Sequence, residues 1–169
     1  GKRTGFEGKA TPQFEEIVKN INPDAKIKKN ENFDNQAQKD FLKGAEIAYE
    51  TIITAFANGD KEKLTKLLTK EMKINFDQAI EQREKHGITS ELTFIGFKDS
   101  NIEKFEKIKN EFFATVKFVS EIISVKKDGN NKVIEGNSNK IKTVTDYWKF
   151  SKKTSSQDPN WFLSEIISK

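Results

Sequence analysis

Between Phe41 and Asp60 the apolar residues return at helical spacing. Phe41, Ala45, Ala48, Tyr49, Ile52 and Phe56 fall on one face of a 3.6-residue turn, and Leu42 and Ile53 widen that face. Lys43, Glu46 and Glu50 lie opposite, so the pattern predicts an amphipathic helix with one face on a sheet and the other in solvent. Gly59 is placed to end this helix in the left-handed conformation, and Asp60 to cap the next. A short helix over Asp60 to Leu68 is expected to bury Leu64, Leu67 and Leu68. Thr69 then caps a third helix in which Met72, Phe76, Ala79, Ile80 and Arg83 share a face and which Gly87 terminates. His86, next to that glycine, is read as a favourable group at the helix's negative end rather than as a catalyst.

From residue 90 the period shortens to two. LTFIGF at 92 to 97, NIEKFEKI at 101 to 108, FFATVKFVSEIISV at 112 to 125, IKTVTDYWKF at 141 to 150 and WFLSEII at 161 to 167 read as strands, with Asp128-Gly129 marking a turn. Phe112, Ala114, Val116 and Phe118 share one face of their strand, with Thr115, Lys117 and Glu121 on the other. Helices followed by a run of antiparallel strands predict an α+β fold, the helices collected on one face of a mainly antiparallel sheet of four to five strands.

Ahead of this pattern, GKRTGFEGKA has no periodicity and TPQFEEIVKNINP has helical periodicity. Thr11 and Pro12 suit a helix start, and Phe14, Ile17, Val18 and Ile21 form an apolar stripe. A helix this short is marginal alone in water, so it must dock either on its own domain or on a partner or bilayer surface. Glu15 and Glu16 argue against an anionic bilayer. Polar, breaker-rich residues 22 to 35 read as a linker, which divides the chain into a leader over 1–35 and a main domain over 36–169.

Composition narrows the chemistry. There is no Cys and a single His, which removes disulfides, thiolate nucleophiles and Cys- or His-rich metal sites; no metal or cofactor is expected. A net charge of +4 with Lys and Glu intermixed does not imply nucleic acid. No phosphate loop, HExxH, GxSxG or calcium loop is present, so no catalytic residue is assigned. Asp146 stands out because it shares the parity of Val144, Trp148 and Phe150 and therefore faces the helices. A carboxylate there is costly unless paired. Two readings remain open: an acceptor for backbone N–H or Lys near a strand end, or a pocket acid near Tyr49. Trp148, Phe150, Phe94, Phe118 and Trp161 read as core rather than as a ligand platform.

The long helix ending AFANGD, the Leu-rich turn after it and a helix closing at EQREKHG resemble the start of the nuclear-transport-factor-two-like, or cystatin-like, superfold, a cone of helices on a curved sheet. FLKGAEIAYETIITAFANGD, KFVSEIISV at 117 to 125, VTDYWKF at 144 to 150 and SSQDPNWFL at 155 to 163 resemble, in that order, the Tim-forty-four-like domain of its bacterial branch, related to the mitochondrial import-motor tether. That resemblance implies an adaptor, not an enzyme, tethered at the inner membrane on its cytoplasmic face through an N-terminal anchor. Lys2 and Arg3 would be the membrane-proximal residues, and the partners would be inner-membrane or membrane-associated proteins and anionic lipid, with a chaperone less expected. Phe14, Ile17, Val18 and Ile21 are the candidate partner-docking residues. The alternative is a small-molecule-binding or isomerase-like protein that uses the cone as a pocket lined by Tyr49, Ile52, Phe56, Phe94, Phe118, Asp146 and Trp148.

Overall fold

The computed structural model describes residues 34–169. The stripe Phe14, Ile17, Val18 and Ile21, together with Lys2 and Arg3, lies outside the described residues. Three helices, α1 (Asn35–Asn58), α2 (Lys61–Thr65) and α3 (Lys70–Lys85), precede five strands, β1 (Thr89–Ile108), β2 (Glu111–Lys127), β3 (Val133–Gly136), β4 (Lys142–Lys153) and β5 (Phe162–Ile167). The fold is α+β with an antiparallel sheet, as the periodicities predict; the sheet is curved and its strands lie in the order β1-β2-β4-β5.

The helix ends follow the local chemistry. Asp34 caps α1 by accepting from the Ala37 backbone N–H at 2.9 Å, so α1 starts six residues before Phe41. Gly59 ends it at φ 71°, Asp60 caps α2 and Thr69 caps α3, while Gly87 follows α3 at φ 70°. The helix expected over Asp60 to Leu68 holds only to Thr65. Beyond it Leu67 and Thr69 bond to the backbone of Leu163 at 2.9 and 3.0 Å, so sheet pairing replaces the last helical turn.

The core lies between α1 and the sheet. Phe41, Ala45, Tyr49 and Ile52 from the helix meet Phe112, Ala114, Val116 and Phe118 from β2 and Trp148 and Phe150 from β4, all buried. Three sequence expectations need correction. Ala79 is exposed, and α3 packs through Met72, Phe76, Ile80 and Arg83 instead. Glu46 is half-buried and accepts a hydrogen bond from Ser100 of β1, because β1 curls over that flank of α1. Thr115 points to the outer face yet is 6% exposed, flanked across the strands by Lys104 and Lys149.

The segments 92–97 and 101–108 form one strand rather than two. Register shifts at Phe94/Gly96, Phe97/Asp99 and Ile102/Lys104 bend it, and each bulge changes which residues face inward, so the alternation looks broken in sequence. β3 carries no apolar-in, polar-out signal, since all four of its residues are exposed. It lies in line with β4 along β2, with Val125 opposite Gly136 and Ile122 opposite Lys142. Gly136 is required there: its φ is 85°, and a Cβ would fall 2.0 Å from the Ser124 carbonyl oxygen.

Candidate functional site

Midway along α1 the helix delivers a phenol into the apolar layer, and the sheet supplies its partners. The Tyr49 hydroxyl donates to Asp146 Oδ2 at 2.6 Å and lies 3.0 Å from Ser120 Oγ. With its own proton directed to the carboxylate, the phenolic oxygen accepts from the Ser120 hydroxyl. β2 and β4 set this geometry: Phe118 pairs with Asp146 and Ser120 with Val144, so the two polar groups stand on neighbouring strands and the helix-facing side. Ser120 shares the parity of Phe118, which makes it readable in retrospect as an inward-facing hydroxyl.

Four rings enclose the phenol. Their centroids lie 4.5 Å (Phe118), 4.6 Å (Trp148), 5.5 Å (Phe97) and 6.4 Å (Phe94) from that of Tyr49. Burial first, then the hydrogen bond to Asp146, raises the Tyr49 pKa well above its ordinary range; the Ser120 bond lowers it and the Asp146 charge adds to the rise. Near neutral pH the side chain is therefore a committed hydrogen-bond donor rather than a base. The arrangement ties helix to sheet through a short charge-assisted bond. Of the two readings left open for Asp146, the geometry gives a variant of each: the carboxylate is close to Tyr49, but as the acceptor of its hydrogen bond.

The other candidates are distributed around this centre. Ile52 is fully buried one turn further along α1. Phe56 is half-buried and packs on Phe76 at 5.1 Å, with the Arg83 guanidinium 5.0 Å above its ring. Arg83 also donates to the carbonyls of Phe56 and Ala57 at 2.7 and 3.2 Å, satisfying the last turn of α1, where the helix dipole is negative. His86 is exposed, and its Nδ1 lies 2.8 Å from the Gln82 carbonyl oxygen at the end of α3. Phe97 was missed in sequence because the bulge at Phe94/Gly96 turns it to the same side as Phe94.

Two depressions lie along α1 away from this centre. A groove of about 340 Å³ runs between the start of α1 and β1, lined by Asn35, Gln38, Lys39, Leu42, Asn101 and Ile102. A smaller depression of about 200 Å³ at the other end of α1 is bordered by Glu50, Thr54, Asn58, Asp60 and Lys63 among others. Neither is lined by a residue of the aromatic cluster around Tyr49. Among the described residues no group of three His, Cys, Asp or Glu is placed to hold a metal ion, and no helix is long and apolar enough to cross a membrane.

Comparisons with known proteins agree with this architecture. No curated protein matches the chain in sequence. Among solved structures, the intermembrane space region of the chloroplast protein ARC6 superposes with a TM-score of 0.50 and 13% identity, covering 76% of this chain and 97% of that one, a likeness of fold. The family model described as the Tim44-like domain matches residues 25–168, nearly the whole chain. The chain belongs to the Tim44-like domain family.

Proposed function

We propose that this protein is a membrane-associated protein-interaction domain, an adaptor rather than an enzyme. The observation that carries the reading is the family match over residues 25–168. The packing around Tyr49 supports it: where a small-molecule reading puts its ligand, the rings of Phe94, Phe97, Phe118 and Trp148 close on that phenol. Recognition then falls to the outer surfaces, where Ile47 and Ile74 stand 64% and 57% exposed on α1 and α3. The finer reading is tethering on the cytoplasmic face of the inner membrane, with membrane-bound proteins as partners and anionic lipid as a contact of Lys2 and Arg3.

The test is affinity capture from the native membrane with the chain displayed on a membrane anchor. The expected result is a defined membrane protein enriched over an unrelated domain on the same anchor, with the enrichment lost in Ile47→Asp or Ile74→Asp. Equal recovery by both baits would overturn the adaptor reading. A stoichiometric small molecule in native mass spectra, lost in Tyr49→Phe, would favour the pocket alternative.

A further inference from the structure

We infer that the outer face of the sheet, the one turned away from the helices, pairs with the same face of a second copy of this chain about a two-fold axis over Val119. On that face β2 presents Lys117, Val119 and Glu121 in succession, all half-buried. Neighbouring charges on the face are matched within the chain: Lys149 reaches Glu165 at 3.3 Å and Lys104 reaches Glu106 at 3.6 Å. Among the described residues, Lys117 and Glu121 have no such partner, and four residues of strand, about 13 Å, hold them apart from each other. Opposite charges left in that state, on either side of an apolar residue, select a partner and fix its register.

The pattern is complementary to itself. A two-fold axis that lies between the two sheets and crosses β2 at Val119 reverses the strand, so Lys117 faces the partner's Glu121 and Glu121 faces the partner's Lys117. Stacked sheets lie about 10 Å apart, a gap that a Lys and a Glu side chain bridge end to end. Strand register extends the match. On β4, Tyr147 lies beside Lys117 and Thr143 beside Glu121, so these two also face each other across the axis. On β1, Asn101 lies beside Lys117 and Gly96 beside Glu121, and nothing stands within 4 Å of the place where a Gly96 side chain would be, which leaves room for the partner's Asn101. Asp99 is the mismatch: it pairs with Val119 on β1, is exposed, and faces the partner's Asp99 at the rim. An axis laid along β2 instead would set Lys117 against the partner's Lys117, so charge selects the antiparallel arrangement. The helices point outward on both copies, and the dimer displays two copies of the surfaces that carry Ile47 and Ile74. The pairing itself stands independently of the adaptor reading.

Sedimentation equilibrium of the full chain reads this association directly. The expected result is a dimer that dissociates on dilution and weakens with added salt. Lys117→Glu and Glu121→Lys each set like charges against one another and should weaken the dimer about tenfold or more. Mixed in equal amounts, the two variants should form a heterodimer at least as tight as the wild-type dimer, because both facing pairs are then opposite in sign; its recovery also shows that both variants fold. Asp99→Asn removes the repulsion at the rim and should tighten the dimer about two- to fivefold. A wild-type chain that stays monomeric up to about 1 mM would overturn the proposal. So would a dimer unmoved by either charge reversal, a mixture of the two variants that stays monomeric, or a dimer that Asp99→Asn weakens.

Discussion

Phe41 and Tyr49 occupy the same face of α1, eight residues apart, and both are essentially inaccessible to solvent, yet the sheet receives them in different ways. Around Phe41 the neighbours are rings, with Trp161 at 5.1 Å and Phe150 at 6.3 Å in edge-on contact. Around Tyr49 the rings are as close, but a hydroxyl must also be satisfied, and Asp146 and Ser120 do so. Among the described residues the first site is a set of ring contacts. The second adds direction, because a 2.6 Å bond fixes the rotation and height of α1 over β2 and β4 in a way that ring contacts, which tolerate sliding, do not.

This contrast orders the expected effects of mutation. Phe41→Ala removes a fully buried ring and leaves a cavity, and should cost about 3–5 kcal/mol of unfolding free energy in chemical denaturation. A loss under about 1 kcal/mol would mean that this end of the core collapses around the gap. Asp146→Ala strips the phenol of its charged acceptor while leaving Ser120, and the expected cost is about 1–3 kcal/mol. Tyr49→Phe keeps the ring contacts and removes the donor; because Asp146 is half-buried and can turn to water, about 1 kcal/mol is expected. The double variant should lose less than the sum of the two singles, and strict additivity would show that the short bond contributes nothing of its own.

The smallest effect is in pH. The folded-state pKa of Tyr49 is raised, so its contribution is fully present below the unfolded value of about 10 and is lost as pH climbs above that toward the folded value. In that alkaline window the unfolded chain releases this proton and the folded chain keeps it. The wild type should therefore lose stability more steeply with pH than Tyr49→Phe, by about one proton per molecule, and parallel curves would mean that the phenol ionises as readily in the folded chain.

Local punctuation was readable at once. Gly59, Asp60, Thr69 and Gly87 each do what their backbone and side-chain chemistry favours, because caps depend on residues a few positions apart. The inward parity of Phe112 to Phe118 and of Asp146 to Phe150 was equally readable, since β2 and β4 pair without a shift along the whole of their shared length. β1 was not, because three bulges reset its alternation, and β3 was not, because an exposed strand of four residues has no buried face to announce it. The aromatic stripe of α1 was correct as a set, but the ring contacts around Tyr49 also needed Phe97, which the bulges in β1 turn toward it.

What the sequence by itself determined, then, is that helices precede strands, the caps at Gly59, Asp60, Thr69 and Gly87, the α+β class and the buried face of α1, all consequences of periodicity and capping over short spans. The tertiary structure alone decided which partners those faces meet. The hydroxyl of Tyr49 finds Ser120 and Asp146 across 71 and 97 residues of chain, and the groove forms where α1 and β1 diverge. Such contacts are set by strand register and sheet curvature, which depend on pairings between distant segments.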